Sequence, residues 1–355
     1  MENTVKANDC SCPSCGAAMR YRPEIAKLFC ENCQTSKDIL CEALTQKHDY
    51  SDMEKHSKKT RDWQEETKNL KCPNCGANVV LNKLQYSSSC PYCESNLVSS
   101  DKQDESIAPD GIIPFLFSDQ DASKKYVEGL KKKWFLPNKF KKSPPVESIH
   151  GVYVPIFGFD SQTTSRYVGR LAKDHTTTNS KGERRTYTTY QNISGVHNSN
   201  QRDVLVETSS KLNQNQFAQI QPYYMQKAVQ FKQGFIMGYT VEHYQNTVAE
   251  CKKVAEQIMM ENIKREILSR YHYDRVVSFD MSTAYTNQKY MYYLVPVYKC
   301  DYKFKEKTYT TFMNGQTGKV GGGVPRSGVK IFFFVLMWVL IIAGIIVISI
   351  LTQGD

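Results

Sequence analysis

The strongest chemical signal in the chain is a repeated cysteine spacing. Cys12-Pro-Ser-Cys15-Gly is followed after 14 residues by Cys30-Glu-Asn-Cys33, and Cys72-Pro-Asn-Cys75-Gly after the same 14 by Cys90-Pro-Tyr-Cys93. The unit recurs at an offset of 60 residues, which makes it an internal duplication. Each Cys-x-x-Cys lets two thiolates converge on one ion from a tight turn. Gly16 and Gly76 supply the permissive backbone needed just after the second sulfur. Two such knuckles complete a closed tetrahedral set, the arrangement of a structural zinc ribbon. The expected ligands are Cys12, Cys15, Cys30 and Cys33 for one Zn2+ and Cys72, Cys75, Cys90 and Cys93 for a second. Iron in a rubredoxin-like site uses the same four thiolates; zinc is the default for a structural ribbon.

A pair of thioredoxin-like redox motifs is the alternative, but no βαβ pattern surrounds either cluster. Ribbons this short bury too little apolar surface to fold alone, so metal binding energy would be folding energy. Twelve cysteines in a short secreted chain would suggest disulfides, yet residues 1–30 hold no apolar stretch resembling a signal peptide. A reducing compartment follows. Of the four remaining thiols, Cys10 and Cys41 flank the first ribbon as spectators or substitute ligands. Cys251 on a helical stripe and Cys300 in a strand-like run read as core.

Zinc ribbons invite a nucleic-acid reading, and the charge argues against it. The net charge of the 355 residues is +10, but residues 1–106 carry 14 basic and 16 acidic side chains. Cys10 to Cys41 holds four basic and three acidic residues, and Leu70 to Val98 two and one. Phosphate binding draws on several Lys/Arg contacts, because counterion release supplies most of the non-specific affinity. The ribbons therefore read as protein-docking modules, at 1–41 and 70–98, joined by a charged run, 42–69, that forms a solvated helix or a flexible spacer.

After a polar boundary at 99–106, residues 107–320 read as a mixed α+β domain. Ile112-Ile113-Pro114-Phe115 suggests a strand, and Ser118 with Asp121 a capping box for a helix to about Trp134. Val154-Pro-Ile-Phe157 and Val295-Pro-Val-Tyr298 form a weaker duplication. Each is followed by Thr/Tyr-rich alternation such as Arg185–Tyr190 and Lys307–Phe312, expected as antiparallel strands with turns at Asn179–Gly182 and Asn314-Gly315. Between them a long helix, about Val241 to Tyr271, carries the apolar stripe Val248, Cys251, Ala255, Ile258, Met259, Ile263 and Ile267. Lys124, Lys125, Lys131, Lys132, Lys133, Lys139, Lys141 and Lys142 are opposed only by Glu128, with Trp134, Phe135 and Phe140 interleaved. This is a solvated basic face over core aromatics, or a contact for anionic lipid at about 1 kcal/mol per lysine.

A Gly-rich linker, 321–330, leads into 21 uncharged residues, Ile331 to Leu351, of which sixteen are Ile, Leu, Val or Phe. At about 1.5 Å per residue the segment spans roughly 31 Å, a bilayer core. Lys319, Arg326 and Lys330 precede it and only Thr352-Gln353-Gly354-Asp355 follow, so the positive-inside rule keeps the large N-terminal part cytoplasmic in a tail-anchored, single-pass topology.

No catalytic motif emerges. Gly315-Gln-Thr-Gly318-Lys319 has two residues between its glycines instead of the four of a phosphate loop, and Val320 replaces the magnesium-binding hydroxyl. Gly-x-Ser-x-Gly and His-Glu-x-x-His are absent. His243, beside Glu242, reads as a helix-start residue.

The paired ribbons, the Val-Pro-Ile-Phe and Val-Pro-Val-Tyr segments, Gly238–Tyr244, the Asn-Gly-Gln-Thr-Gly-Lys-Val run at 314–320 and the apolar tail together resemble YdjG-like bacterial zinc-ribbon membrane proteins. Such chains are often labelled TFIIB-type zinc ribbon or primosomal protein N-prime. The helicase label does not carry over, since the nucleotide loop is missing. What the resemblance implies is a membrane component associated with SPFH-domain and phage-shock-protein-A-like partners in envelope stress. The expectation is a non-enzymatic, membrane-tethered adaptor. The alternative is a membrane-associated nucleic-acid binder in replication or transcription.

Overall fold

The computed structural model describes residues 10–44, 47–52, 67–82, 87–90, 92–93, 95–98, 107–142, 148–180, 182–304 and 307–351. Most of the charged run 42–69, the polar stretch 99–106 and the last four residues lie outside these. The strands are β1 (Arg20–Arg22), β2 (Lys27–Phe29), β3 (Ser36–Asp38), β4 (His48–Asp49), β5 (Thr67–Lys71), β6 (Asn78–Asn82), β7 (Ser87–Ser89), β8 (Asn96–Val98), β9 (Gly111–Ile112), β10 (Ser148–Thr178), β11 (Arg184–Glu207), β12 (Val229–Gln230), β13 (Thr240–Glu242), β14 (Arg275–Phe304), β15 (Lys307–Asn314) and β16 (Val320–Gly322). The helices are α1 (Asp119–Lys131), α2 (Asn138–Lys142), α3 (Gln214–Ile220), α4 (Val248–Leu268) and α5 (Gly328–Leu351). The chain is thus α+β with antiparallel strands and one C-terminal apolar helix, as expected.

The chain divides into two compact units, with β10, β11, β14 and α4 shared between them. The first comprises Met1–Phe159, Leu205–Ala255 and Lys289–Pro325; the second Asp160–Val204, Glu256–Gln288 and Arg326–Asp355.

In the first unit β1, β2 and β3 form a small antiparallel sheet, and β5 and β6 a hairpin. That hairpin is part of the main sheet: β6 pairs antiparallel with β13 (Val80 opposite Val241), and β13 lies parallel to the start of β10 (Val152 opposite Thr240). β14 runs parallel to β9 and antiparallel to β15 and β4. The sheet is therefore mixed, with parallel pairs that alternation did not suggest. The reason is visible in the burial: 152–159 and 290–300 are buried without interruption, so these strands show no in/out pattern. The Val-Pro-Ile-Phe and Val-Pro-Val-Tyr segments supply the core, where Val154, Ile156, Val295 and Val297 pack with Phe217 and Phe312.

Local signals set the helix ends. Ser118 accepts a hydrogen bond from the Asp121 amide at 3.3 Å and starts α1 as its N-cap, one half of the expected capping box. The helix stops at Lys131, short of Trp134, because the chain tightens into turns closed by Lys133 N–H to Leu130 O and Leu136 N–H to Lys133 O. The expected helix from Val241 begins instead at Val248. Thr247 and Glu250 cap it reciprocally (Thr247 N–H to Glu250 Oε2, 2.7 Å), while Thr240–Glu242 is drawn into the sheet as β13. A further box at Asn213 and Gln216 starts α3. Asn314 Oδ1 accepts the amides of Gln316 and Thr317, making 314–319 the turn between β15 and β16; a strand follows where a phosphate loop would begin a helix.

In the second unit β10 lies between β11 and β14. Its apolar cluster comprises Tyr167, Leu171 and Ile193 from the strands and Ile263, Ile267 and Leu268 from α4, with Phe279 and Met281 against them. Within helix α5, Gly328–Ile350 is long and apolar enough to cross a membrane.

Candidate metal centres

Each knuckle is a closed hairpin. Cys12 N–H donates to Ala17 O at 2.8 Å and Gly16 N–H returns to Cys12 O at 2.9 Å; Cys72, Ala77 and Gly76 repeat both bonds at the same lengths. Gly16 (φ 74°) and Gly76 (φ 72°) are left-handed, the conformation for which glycine was read. The Cys30 knuckle makes the same pair of bonds, with Thr35 O and the Gln34 amide, but holds Gln34 itself at φ 63°.

These turns aim the sulfurs at two common points. The Sγ–Sγ separations are 3.3 Å for Cys12–Cys33, 3.5 Å for Cys15–Cys30, and 3.6 Å for both Cys72–Cys93 and Cys75–Cys90. Within each set of four, all sulfurs lie within 4.8 Å of one another, a group that can hold a metal ion. A tetrahedron with metal–sulfur bonds of about 2.3 Å has edges of about 3.8 Å, close to these values. A disulfide would need about 2.0 Å, and all twelve cysteines are free thiols. All eight sequence-predicted sulfurs are thus brought together, four and four. Cys10 and Cys41 are in neither group, while Cys251 and Cys300 are buried on α4 and β14, their thiols pushed up by burial.

The electrostatics favour a cation. Burial opposes ionisation of Cys72, yet the Ser95 hydroxyl and the Cys75 and Asn74 amides bring its thiol down to about 6. Burial pushes Cys90 up to about 12. In the first set, amide hydrogen bonding from Ala17 and the Asn32 side chain lower Cys15. The Cys33 amide favours the Cys30 thiolate, but burial and the neighbouring thiols outweigh it and push Cys30 up to about 11. Four thiolates this close repel one another, so only some ionise unaided; a divalent ion supplies the missing charge and the soft donors suit zinc or iron. The donor set fits such a group.

Two supports were not read from the sequence. The hydroxyl of Thr35 lies 3.2 Å from Cys33 Sγ, and that of Ser95 lies 3.0 Å from Cys93 Sγ and 3.2 Å from Cys72 Sγ. Thr35 and Ser95 are themselves 60 residues apart, so the duplication carried this signal. The second support is the footing. Tyr21 N–H of the first cluster donates to Met237 O at 2.9 Å and its ring meets Phe235 edge-on. In the second, the Tyr92 hydroxyl donates to Glu242 Oε2 at 2.6 Å, and Lys299 Nζ donates to Tyr92 O at 2.7 Å. Lys211 Nζ bonds to Cys75 O. Glu242 is wholly buried and also accepts from the Ser209 and Ser210 hydroxyls and the Ser210 amide. Burial raises its carboxyl despite these donors. His243 follows β13, its amide bonded to Asn78 O and its ring stacked on Tyr244, so it does not start a helix.

The lysine-rich segment falls on α1, α2 and the turn between them. Lys124, Lys125, Lys131, Lys132 and Lys139 are exposed, and Trp134 is 72% exposed among them. Phe140 is core, and burial lowers Lys133. The side chains of Lys141 and Lys142 lie outside the described residues.

The uncharacterized protein YdjG of Bacillus subtilis (strain 168) is 26% identical to this chain over 324 residues, 90% of this chain and 91% of that protein. The similarity therefore extends well beyond the ribbons. No family model matches the chain, and no solved structure matches it.

Proposed function

We propose that the chain is a membrane-tethered, non-enzymatic adaptor whose two zinc ribbons recruit a cytosolic protein to the inner face of the membrane. The observation that carries this reading is the way the second cluster is built into the main sheet. β6 pairs with β13, and Tyr92 is held by Glu242 and Lys299, so a metal-folded knuckle is presented on a rigid base. The near-neutral ribbon charge favours protein over phosphate as the occupant. Glu242, the buried carboxylate beside the second cluster, is saturated by four donors from the protein itself, which supports structure over catalysis.

Zinc is the metal that a closed four-thiolate site most often holds. The helix α5 provides the anchor, and the basic residues Lys319, Arg326 and Lys330 on its N-terminal flank favour a cytoplasmic body. Exposed lysines around Trp134 suit an anionic leaflet. The resemblance to YdjG-like zinc-ribbon proteins, often labelled TFIIB-type or primosomal protein N-prime, rests on the combination of ribbons, Val-Pro segments and apolar tail, and SPFH-domain and phage-shock-protein-A-like proteins are the partners it suggests. The test is capture of purified candidates of these two classes by the full chain in nanodiscs, with and without a zinc chelator. Capture lost on chelation supports the adaptor. Tight DNA or RNA binding at physiological salt, lost on chelation, replaces it with the nucleic-acid reading.

A further inference from the structure

Four thiolates around one divalent ion leave two negative charges in excess. At the second cluster, ammonium groups stand beside both knuckles. Lys211, in the loop leading into α3, bonds through Nζ to the carbonyl of Cys75, the last ligand of the first knuckle. Lys299, on β14, donates through Nζ to the carbonyl of Tyr92 at 2.7 Å, between the two ligands of the other knuckle, and lies 5.2 Å from the centre of the Tyr92 ring. The two cations are delivered from 136 and 207 residues along the chain.

A neutral donor would satisfy either carbonyl, so the use of lysine needs a reason. Desolvating an ammonium is costly unless negative charge meets it. Lys299 is buried, yet Asp301, which it also meets, is 33% exposed and shared with the Thr310 hydroxyl, so water screens that carboxylate. Glu242, the carboxyl that Tyr92 holds, is pushed toward its neutral form by burial. The tetrathiolate is the anion beside both carbonyls, since Cys75 is itself a ligand and Tyr92 adjoins Cys93.

The first cluster is built differently. Its footing uses neutral groups, the Tyr21 amide on Met237 O at 2.9 Å and the Tyr21 hydroxyl on Phe115 O at 3.4 Å. Its Arg22 and Lys27 are turned to carboxylates of the same ribbon, Glu31 at 3.7 Å and Asp38 at 3.0 Å.

We propose that Lys211 and Lys299 compensate the charge of the second metal centre, holding down the electron density of its thiolates and making it the less reactive of two centres that share one ligand spacing. A sulfur whose lone pair is held by nearby positive charge attacks electrophiles more slowly. Lower exposure would also slow the second cluster, so the test changes charge at constant exposure.

This role rests on a divalent ion in the second cluster. Native mass spectrometry of the wild-type full chain in detergent micelles tests that premise by itself, and a chain without a second ion overturns both. Lys211 is half-buried and can be varied. Lys211→Gln keeps an N–H donor and loses the charge; Lys211→Arg keeps both. Each zinc-loaded protein is treated with iodoacetamide, and every cysteine is followed by peptide mass spectrometry. Cys72, Cys75, Cys90 and Cys93 of Lys211→Gln are expected to react about tenfold faster than in wild type, the scale of one removed charge near a protein surface. Lys211→Arg is expected to match wild type, and the first set to be the same in all three. In cobalt-loaded protein the sulfur-to-cobalt charge-transfer band is expected to move to longer wavelength in Lys211→Gln alone, because removing the charge raises the sulfur lone pairs. Loss of the second ion from Lys211→Gln but not from Lys211→Arg supports the role; loss from both overturns it. Equal rates in wild type and Lys211→Gln overturn it too. So do faster rates in both variants, or faster rates with an unmoved band, since each assigns Lys211 to packing alone.

Discussion

The phenol of Tyr92 reaches Glu242, 150 residues further along the chain, in a 2.6 Å hydrogen bond that joins the turn between Cys90 and Cys93 to a wholly buried carboxylate. Tyr92→Phe keeps the ring and removes the donor, leaving the carboxylate with three partners. We expect a loss of about 1–3 kcal/mol of stability, the cost of an under-satisfied buried group. Denaturant unfolding of the detergent-solubilised chain measures it, and an unchanged midpoint would contradict the coupling.

Metal content provides a second test. Elemental analysis of freshly purified chain should give two zinc ions. Cys72→Ser with Cys75→Ser should reduce this to one and expose the β5–β6 hairpin to protease, because the ion's binding energy holds that ribbon folded. Fewer than one ion in the wild type, or disulfides within the clusters, would refute the assignment.

Glu207 gives a pH signature of known sign. Burial, aided by the nearby Glu242 charge and opposed by the Ser209 amide, pushes its carboxyl up to about 7. Its unfolded value is about 4.3. The native state therefore holds this proton more tightly, and stability falls as pH rises from about 4.5 to 7. Glu207→Gln should flatten that part of the profile. Stability curves for the two proteins, compared at each pH, isolate the contribution; parallel curves would show that Glu207 is solvated.

Truncation after Gly328 should move the protein from the membrane pellet to the soluble fraction with its metal content intact. A fragment that still pellets after a high-salt wash would reveal another anchor.

Replacing Lys124, Lys125, Lys131, Lys132 and Lys139 by glutamine should weaken binding of that soluble fragment to anionic vesicles, at about 1 kcal/mol per lysine near the surface. Neutral vesicles should show no difference. Trp134, exposed beside them, is the fluorescence reporter for contact. Equal binding of both proteins to anionic vesicles would assign these lysines to solvent alone.

Much of the site was legible because metal geometry is written in spacing. The eight cysteines, Gly16 and Gly76 could be placed from sequence, since few other residues satisfy those turns. Gln34 could not, because a left-handed glutamine leaves no local mark. Glu242 was equally silent. A charged residue beside histidine suggests a helix start, and only the pairing of β13 with β6 reveals why it is buried. Fold class followed from Thr/Tyr alternation, whereas the parallel pairs of β9 and β14 arise in uninterrupted buried runs where periodicity carries no direction.

The two knuckle pairs share a spacing but not a setting. Cys15 and Cys33 are exposed and one turn of their cluster forces a glutamine into the left-handed region, whereas no described cysteine of the second cluster is exposed. The two copies therefore differ in how their sulfurs meet solvent: a chelator in bulk water has direct access to two thiols of the first set and to none that is fully exposed in the second, and the first set is the one expected to lose an ion sooner.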